Sequence, residues 1–303
     1  MVNIMTITEE IQKLKKEKNA IILAHYYQRP EVQEVADYIG DSYYLSKIAK
    51  ESDKDTIVFC GVKFMAESAK ILSPNKTVLL PASDAGCPMA DMATAEKVLE
   101  YKEKYPKAAV VCYINSSAEV KAVSDICCTS SNAIKIINSL ENDQIIFLPD
   151  KNLASYIQEK VANKEIILWP GFCITHKRIR EEEILKAKET IEGLVVLAHP
   201  ECEKEIRDLA DFVGSTSEII DFATDSDKKN FLIATEEGVL HELKKRNPEK
   251  RFFTPRGGLM CINMKKTSLE DVRDALLYDK NVIELDEELR VKAHSCLMKM
   301  HSI

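Results

Sequence analysis

The chain contains no apolar run long enough to cross a bilayer. Stretches such as "IILA", "VVLA" and "IIFL" are short and bounded by charged or turn residues. The opening segment, "MVNIMTITEEIQKLKKEKN", mixes acids and bases in a helical pattern without an uninterrupted apolar core, so it does not read as a secretory signal. A P-loop, a GxGxxG after a strand, HExxH and GxSxG are all missing, which leaves nucleotide hydrolysis, dinucleotide binding and serine hydrolysis without support. No pair of cysteines forms CxxC, which excludes a zinc ribbon or a thioredoxin-type motif. The net charge of −7 speaks against a broad nucleic-acid or acidic-membrane surface, and "RGG" at 256–258 is too short to mean RNA binding. No Gly/Ser-rich linker, Pro-rich linker or low-complexity tract divides the chain.

What is present is ample apolar material and an unusual cysteine count. With 303 residues and 45% hydrophobic composition the chain can fill two or three cores. Nine cysteines, an odd number without a signal, fit a reducing cytoplasm in which thiols serve as ligands or nucleophiles rather than as a disulfide framework.

Three segments repeat one another: "LAHYYQRPEVQEVADYIGDSYYL" from Leu23, "VCYINSSAEVKAVSDICCTSSNA" from Val111 and "LAHPECEKEIRDLADFVGSTSEI" from Leu197. His25, Tyr113 and His199 each precede an aspartate (Asp37, Asp125, Asp211) by 12 residues. A cysteine then follows each aspartate by 50, 48 and 50 residues: Cys87, Cys173 and Cys261. Within a unit, short apolar strands alternate with helical periodicity, which predicts parallel βαβ units with helices on both faces. The expected fold is α/β: three homologous three-layer αβα (Rossmann-like, parallel-sheet) domains around a pseudo-threefold axis. Their expected limits are 1–86, 87–172 and 173–266. The remainder, 267–303, reads as helix, short strand, helix, opened by a capping box from Thr267 to Glu270, and is expected to dock on the first unit.

Open parallel sheets bind ligands beyond the carboxyl ends of their strands. The repeat puts His25 and Tyr27, Tyr113 and Asn115, and His199 and Glu201 there, followed by Ser42, Ser130, Ser215 and Thr216, and then the three cysteines. Three convergent thiolates have few uses. Zinc takes four protein ligands, or three and a water, whereas a cubane with three cysteines leaves one iron open as a Lewis acid. Pro88 after Cys87 suits the first turn of a helix, whose N-terminus favours a thiolate. Blander readings compete. The serines are suited to cap the helices that follow them, His25 and His199 to cap strands, and Tyr113 to fill a core. Cys60, Cys112, Cys202 and Cys296 read as buried hydrophobes, Cys127 and Cys128 are ambiguous, and "KRIREEEILKAKE" is a solvated helix face.

The motifs "AHYYQ", "GDS", "GCPMADM", "CTSSNA", "PDKNLA", "GFCITH", "HPEC", "GSTSE", "ATEEGV" and "CINMKKTSLE" together resemble the quinolinate synthase A family, over nearly the whole chain. The resemblance implies a transferase of de novo NAD biosynthesis. It would condense iminoaspartate with dihydroxyacetone phosphate, releasing phosphate and two waters to give quinolinate. It implies a central 4Fe–4S cluster on Cys87, Cys173 and Cys261, with its fourth iron open to water or substrate. Tyr27, Glu201 and His199 would be catalytic, with Glu201 acting as acid and base. His25, Ser42, Tyr113, Asn115, Ser130, His176, Ser215 and Thr216 would bind substrate. An aspartate-oxidising enzyme would supply the imine; neither nucleic acid nor membrane is an expected partner. Family members with a CxxCxxC run after the third ligand differ from this chain, where "CINMKK" has one cysteine. Tyr26 competes with Tyr27, but Tyr27 is the one in register with Asn115 and Glu201. Two other readings remain: a hydro-lyase built on the same cubane, and a cluster-based sensor, which would need little of this acid–base equipment.

Overall fold

The computed structural model describes residues 5–255 and 257–303; Met1–Ile4 of the opening segment and Arg256 of the "RGG" stretch lie outside them. The short apolar runs form three parallel four-stranded sheets. The first holds β1 (Ala20–His25), β2 (Tyr38–Gly40), β3 (Thr56–Cys60) and β4 (Thr77–Leu79), in the order β2-β1-β3-β4. The second, β5 (Ala109–Tyr113), β6 (Ile126–Cys128), β7 (Gln144–Leu148) and β8 (Glu165–Leu168), runs β6-β5-β7-β8. The third, β9 (Leu194–Ala198), β10 (Phe212–Val213), β11 (Asn230–Ala234) and β12 (Arg251–Phe253), runs β10-β9-β11-β12. The order is the same three times.

Both faces of each sheet are covered, which is why the strands read as continuous apolar runs. Side chains alternate across a strand, so Ile21 and Leu23 of β1 enter one core with Leu45 and Phe64, while Ile22 and Ala24 enter another with Ile11 and Val32. β9 and β11 do the same: Leu197 and Ile233 face one core, Val196 and Leu232 the other. Each such fully buried aliphatic side chain contributes about 1.5–3 kcal/mol.

Two polar devices also occur three times. Asp37 accepts the N–H of Ile22 (2.8 Å), Asp125 that of Val110 (2.8 Å) and Asp211 that of Val196 (2.7 Å). The backbone N–H of each aspartate returns to the carbonyl of the same residue, so the repeated aspartates brace neighbouring strands. Each also faces a lysine of the helix that leads into the first strand of its sheet: Lys15 of α1 (Ile7–Glu17), Lys102 of α6 (Ala95–Lys104) and Lys188 of α10 (Glu181–Thr190). A second set of lysines, Lys76, Lys164 and Lys250, donates to carbonyls at the ends of α3 (Ser42–Glu51), α8 (Ala133–Ser139) and α12 (Thr216–Asp225).

After the third unit the chain divides its packing. α14 (Leu269–Tyr278) lies against α1 and β3, whereas α15 (Glu287–Ser302) lies against β6, α7 (Ala118–Ala122) and α4 (Lys63–Leu72). The capping box of α14 is Ser268 with Asp271, one residue later than Thr267 with Glu270, because Thr267 is fully buried and Ser268 takes the N-cap. The expected short strand before α15 reduces to one antiparallel bridge, Leu79 with Val282. Among the described residues no helix is long and apolar enough to cross a membrane.

Candidate active site

The carboxyl ends of the three sheets face one cavity of roughly 210 Å³. After the strands of the first sheet it is lined by His25, Tyr27, Ser42 and Cys87; after those of the second by Tyr113, Asn115, Ser130, Cys173 and His176; after those of the third by His199, Glu201, Thr216 and Cys261. Ser42, Ser130 and Thr216 occupy equivalent places. Ser215 does not line the cavity. It is the N-cap of α12, in a capping box with Glu218, so there the capping role applies. It applies to neither of the other serines: Asp41 caps α3 and Asn132 precedes α8.

The repeat is visible in the local backbone. Each cysteine opens a helical turn, its carbonyl accepting the N–H four residues on: Asp91 to Cys87 (3.1 Å), Lys177 to Cys173 (3.0 Å) and Lys265 to Cys261 (3.2 Å). Pro88 begins α5 (Pro88–Asp91) with Cys87 as N-cap. The expected thiolate is not favoured, however. Burial drives the Cys87 thiol up to about 12, with nearby Cys261 and Glu201 adding to it, and the N–H groups of Ala90 and Met89 do not offset this. Cys173 is pushed well above the ordinary thiol value, by burial first and by Glu201 and Cys87 next, and Cys261 is raised by burial. All three are therefore protonated soft donors. The other six cysteines lie in the cores, Cys127 among them, its Sγ 3.2 Å from that of Cys296.

His25 and His199 also repeat one another. Nδ1 of His25 accepts the N–H of Tyr27 (3.1 Å), and Nδ1 of His199 that of Glu201 (3.2 Å). Burial lowers His25 to about 3 and His199 to about 4, so both rings are neutral. With Nδ1 accepting, the ring proton sits on Nε2, and each histidine is a fixed donor. Glu201 is buried beneath them. Burial would raise its carboxyl, but His199, His176 and the Tyr113 hydroxyl favour the anion and hold it below the usual carboxylate range. Tyr113 donates to Glu201 Oε1 (2.8 Å), and His176 Nδ1 lies 3.0 Å from Oε2, out of line for a hydrogen bond. The Tyr27 hydroxyl lies 2.8 Å from both Thr216 and Thr235, and His176 Nε2 is 2.9 Å from Thr235. Tyr27, Thr235, His176 and Glu201 therefore form a continuous chain of contacts. Burial keeps both tyrosines protonated, well above the ordinary phenol value. The buried Oδ1 of Asn115 has no partner among the described residues.

Sequence reasoning missed two acids, Asp150 and Glu236. Both are buried after the third strand of their units, and their signal was available: they follow Tyr113 and His199 by the same 37 residues. Cys173, His176 and Glu201 also have donor atoms within 4.8 Å of one another, a set able to hold a metal ion.

A triplicated α/β fold with thiols, neutral histidine donors and a buried carboxylate facing one cavity is the architecture of an enzyme whose chemistry lies between its units. The chain belongs to the Quinolinate synthetase A protein family, whose family model matches residues 9–302. It is 64% identical over 299 residues to a protein of Clostridium perfringens (strain ATCC 13124) named quinolinate synthase, covering 99% of each chain. It is 59% identical over 298 residues to one of that name from Caldicellulosiruptor saccharolyticus, covering 98% of each chain. The protein of that name from Clostridioides difficile is 56% identical over 297 residues, again covering 98% of each.

Proposed function

We propose that this chain is a quinolinate synthase, condensing iminoaspartate with dihydroxyacetone phosphate to quinolinate, phosphate and two waters. The observation that carries the reading is the convergence of three repeat-related cysteines on the cavity that also holds Glu201 and Tyr27. The donor set fits an iron–sulfur cluster: three soft thiols, one after the last strand of each sheet, without a fourth cysteine at the cavity among the described residues. Cys87, Cys173 and Cys261 would hold a 4Fe–4S cluster. When bound, it supplies a Lewis-acidic iron corner for the dehydrations.

The chain's own groups supply the rest. Ser42, Ser130, Thr216 and Asn115 offer directed hydrogen bonds to carboxylates and phosphate in a dry cavity. His25 and His199 donate through Nε2 without bringing a full charge. Glu201, held as the anion, is equipped to take a proton from carbon, and Tyr113 is placed to steady it; the base role comes first. Tyr27 holds a proton for a leaving hydroxyl, and Thr235 and His176 connect it to Glu201. The units are taken as 1–86, 87–172 and 173–266. The imine hydrolyses readily in water, so an aspartate-oxidising enzyme is its natural source, and an oxygen-sensitive cluster among free thiols suits the cytoplasm.

The test is an anaerobic assay with iminoaspartate made in situ and dihydroxyacetone phosphate. Quinolinate is expected only with both substrates, from protein carrying about four irons and four sulfides per chain. Fully loaded protein that makes none discards the synthase. Iron without sulfide points to a single ion at Cys173, His176 and Glu201 instead.

A further inference from the structure

Val62, Asp150 and Glu236 stand at one repeat position, 37 residues after His25, Tyr113 and His199. In the second and third units this position carries a buried carboxylate with both oxygens occupied. Asp150 accepts the N–H of Cys173 on Oδ2 (3.1 Å) and that of Leu153 on Oδ1 (2.7 Å). Glu236 accepts the N–H of Cys261 on Oε1 (2.9 Å) and that of Gly238 on Oε2 (2.7 Å). Lys265, four residues past Cys261, pairs with Glu236 at 3.0 Å and donates to the Tyr27 carbonyl at 2.5 Å. The packing is close enough to require glycine. A Cβ on Gly238 would meet the Tyr27 backbone and the Glu236 carboxylate, and one on Gly171 would collide with the Pro149 carbonyl. The first unit has no counterpart: Val62 accepts nothing through its side chain, and the N–H of Cys87 has no hydrogen-bond partner among the described residues. Its loop keeps only the backbone link that all three units share, Lys63 N–H to the Ala85 carbonyl (2.8 Å), matched by Lys151 to Gly171 (2.8 Å) and Glu237 to Leu259 (3.2 Å).

We propose that Asp150 and Glu236 are positioning residues for the second and third cysteine ligands, and that Cys87 is the least restrained of the three. This rests on the cluster reading above. A ligand's backbone sets where its sulfur can go, and an outer group that fixes the ligand typically changes metal retention 10–100-fold. Only a carboxylate suits these places, because both oxygens must accept from N–H groups. An amide would turn an NH₂ towards one of them. The consequence is an order of events: the Cys87 corner opens first when the cluster decays and closes last when it is built.

Two measurements decide it. In wild-type apoprotein, amide hydrogen exchange at Cys173 and Cys261 is expected to be at least about tenfold slower than at Cys87, since only the former two are held by a buried acceptor. Equal rates at all three overturn the inference, and this arm needs no variant to fold. In reconstituted holoprotein, Asp150→Asn and Glu236→Gln are expected to lose iron to a chelator about 10–100-fold faster than wild type. Glu236→Asp, which keeps both acceptors and copies the second unit, should recover much of the loss. A variant whose apoprotein melts like wild type yet takes up no cluster supports the proposal. Wild type that loads iron and sulfide, with variants that retain them equally long, overturns this inference alone. Wild type that loads neither overturns the cluster reading and leaves the exchange rates to judge the carboxylates.

Discussion

The two ends of the three sheets have fared differently. At the end away from the cavity the units are alike down to single hydrogen bonds: one aspartate, one strand N–H and one lysine on the helix that leads into the sheet, three times over. At the cavity end the side chains that stay constant are the cysteine and the hydroxyl of Ser42, Ser130 and Thr216, while Tyr27, Asn115 and Glu201 share one register position and Val62, Asp150 and Glu236 another. A strand brace does the same work in every copy, so one solution serves all three. Two unlike substrates joined in one cavity have no threefold symmetry, so their contacts must differ from unit to unit. Repetition therefore marks the strand braces, the cysteines and a shared set of hydroxyl donors, while divergence marks the reacting groups at the Tyr27, Asn115 and Glu201 position and the unequal support of the cysteines at the Val62, Asp150 and Glu236 position.

The sharpest way to break this comparison is to remove a group that is constant at the cavity end. Anaerobically purified protein is expected to be brown, and serine in place of Cys87, Cys173 or Cys261, one at a time, to bleach it. Loss of a Lewis acid worth several kcal/mol should lower turnover about a thousandfold or more. Ultraviolet–visible absorption and iron content check it. A full cluster in Cys87→Ser would show that the constant cysteines are not the common ligand set.

Next comes a diverged group. Glu201→Gln keeps shape but loses the anion, and should lower kcat by about 10²–10⁴-fold with the cluster spectrum intact. An unchanged rate would take this carboxylate out of the mechanism. Tyr113→Phe, which removes only the hydrogen bond to Glu201, should cost less, about tenfold for roughly 1.5 kcal/mol of a charge-assisted bond.

The same division explains what was legible in the sequence. Constant features announce themselves through spacing, so the alternation of strands and helices, the three cysteines and the serine register could be read from the sequence alone. Asp150 and Glu236 were not singled out because an acid after a strand is ordinarily solvated, and only the packed loops reveal that both their oxygens are occupied. Ser215 was misplaced at the cavity because Ser215 and Thr216 are adjacent hydroxyl residues, and one residue of helix rotation decides which caps and which faces inward. The split docking of α14 and α15 has no local signal at all. It depends on which apolar grooves, beside α1 or beside α7, remain uncovered once the three units have assembled.

At the back of the sheets the expectation reverses: large effects on stability, little on chemistry. Asp37→Ala, Asp125→Ala and Asp211→Ala each strip a strand N–H of its acceptor. Each should destabilise by about 1–3 kcal/mol, in similar measure, with kcat unchanged. Denaturant titration of the three variants tests whether the copies are energetically as well as geometrically equivalent. A tenfold fall in kcat in any one of them would place chemistry where only bracing is argued.

The smallest effect separates the copies more finely. Lys250 donates to three carbonyls, those of Ala223 (2.6 Å), Thr224 (2.9 Å) and Ser226 (2.9 Å), whereas Lys164 donates to two, those of Leu140 (2.6 Å) and Asn142 (2.8 Å). A cation among helix-terminal carbonyls gains from both hydrogen bonding and the negative end of the helix dipole, and methionine keeps the apolar stem while removing both. Lys250→Met should therefore destabilise by about 1–2 kcal/mol and Lys164→Met by about 1 kcal/mol, neither touching turnover. If the two variants unfold at the same denaturant concentration as each other and as wild type, these repeated lysines are solvated charges that happen to lie near carbonyls, and the brace belongs to the aspartates alone.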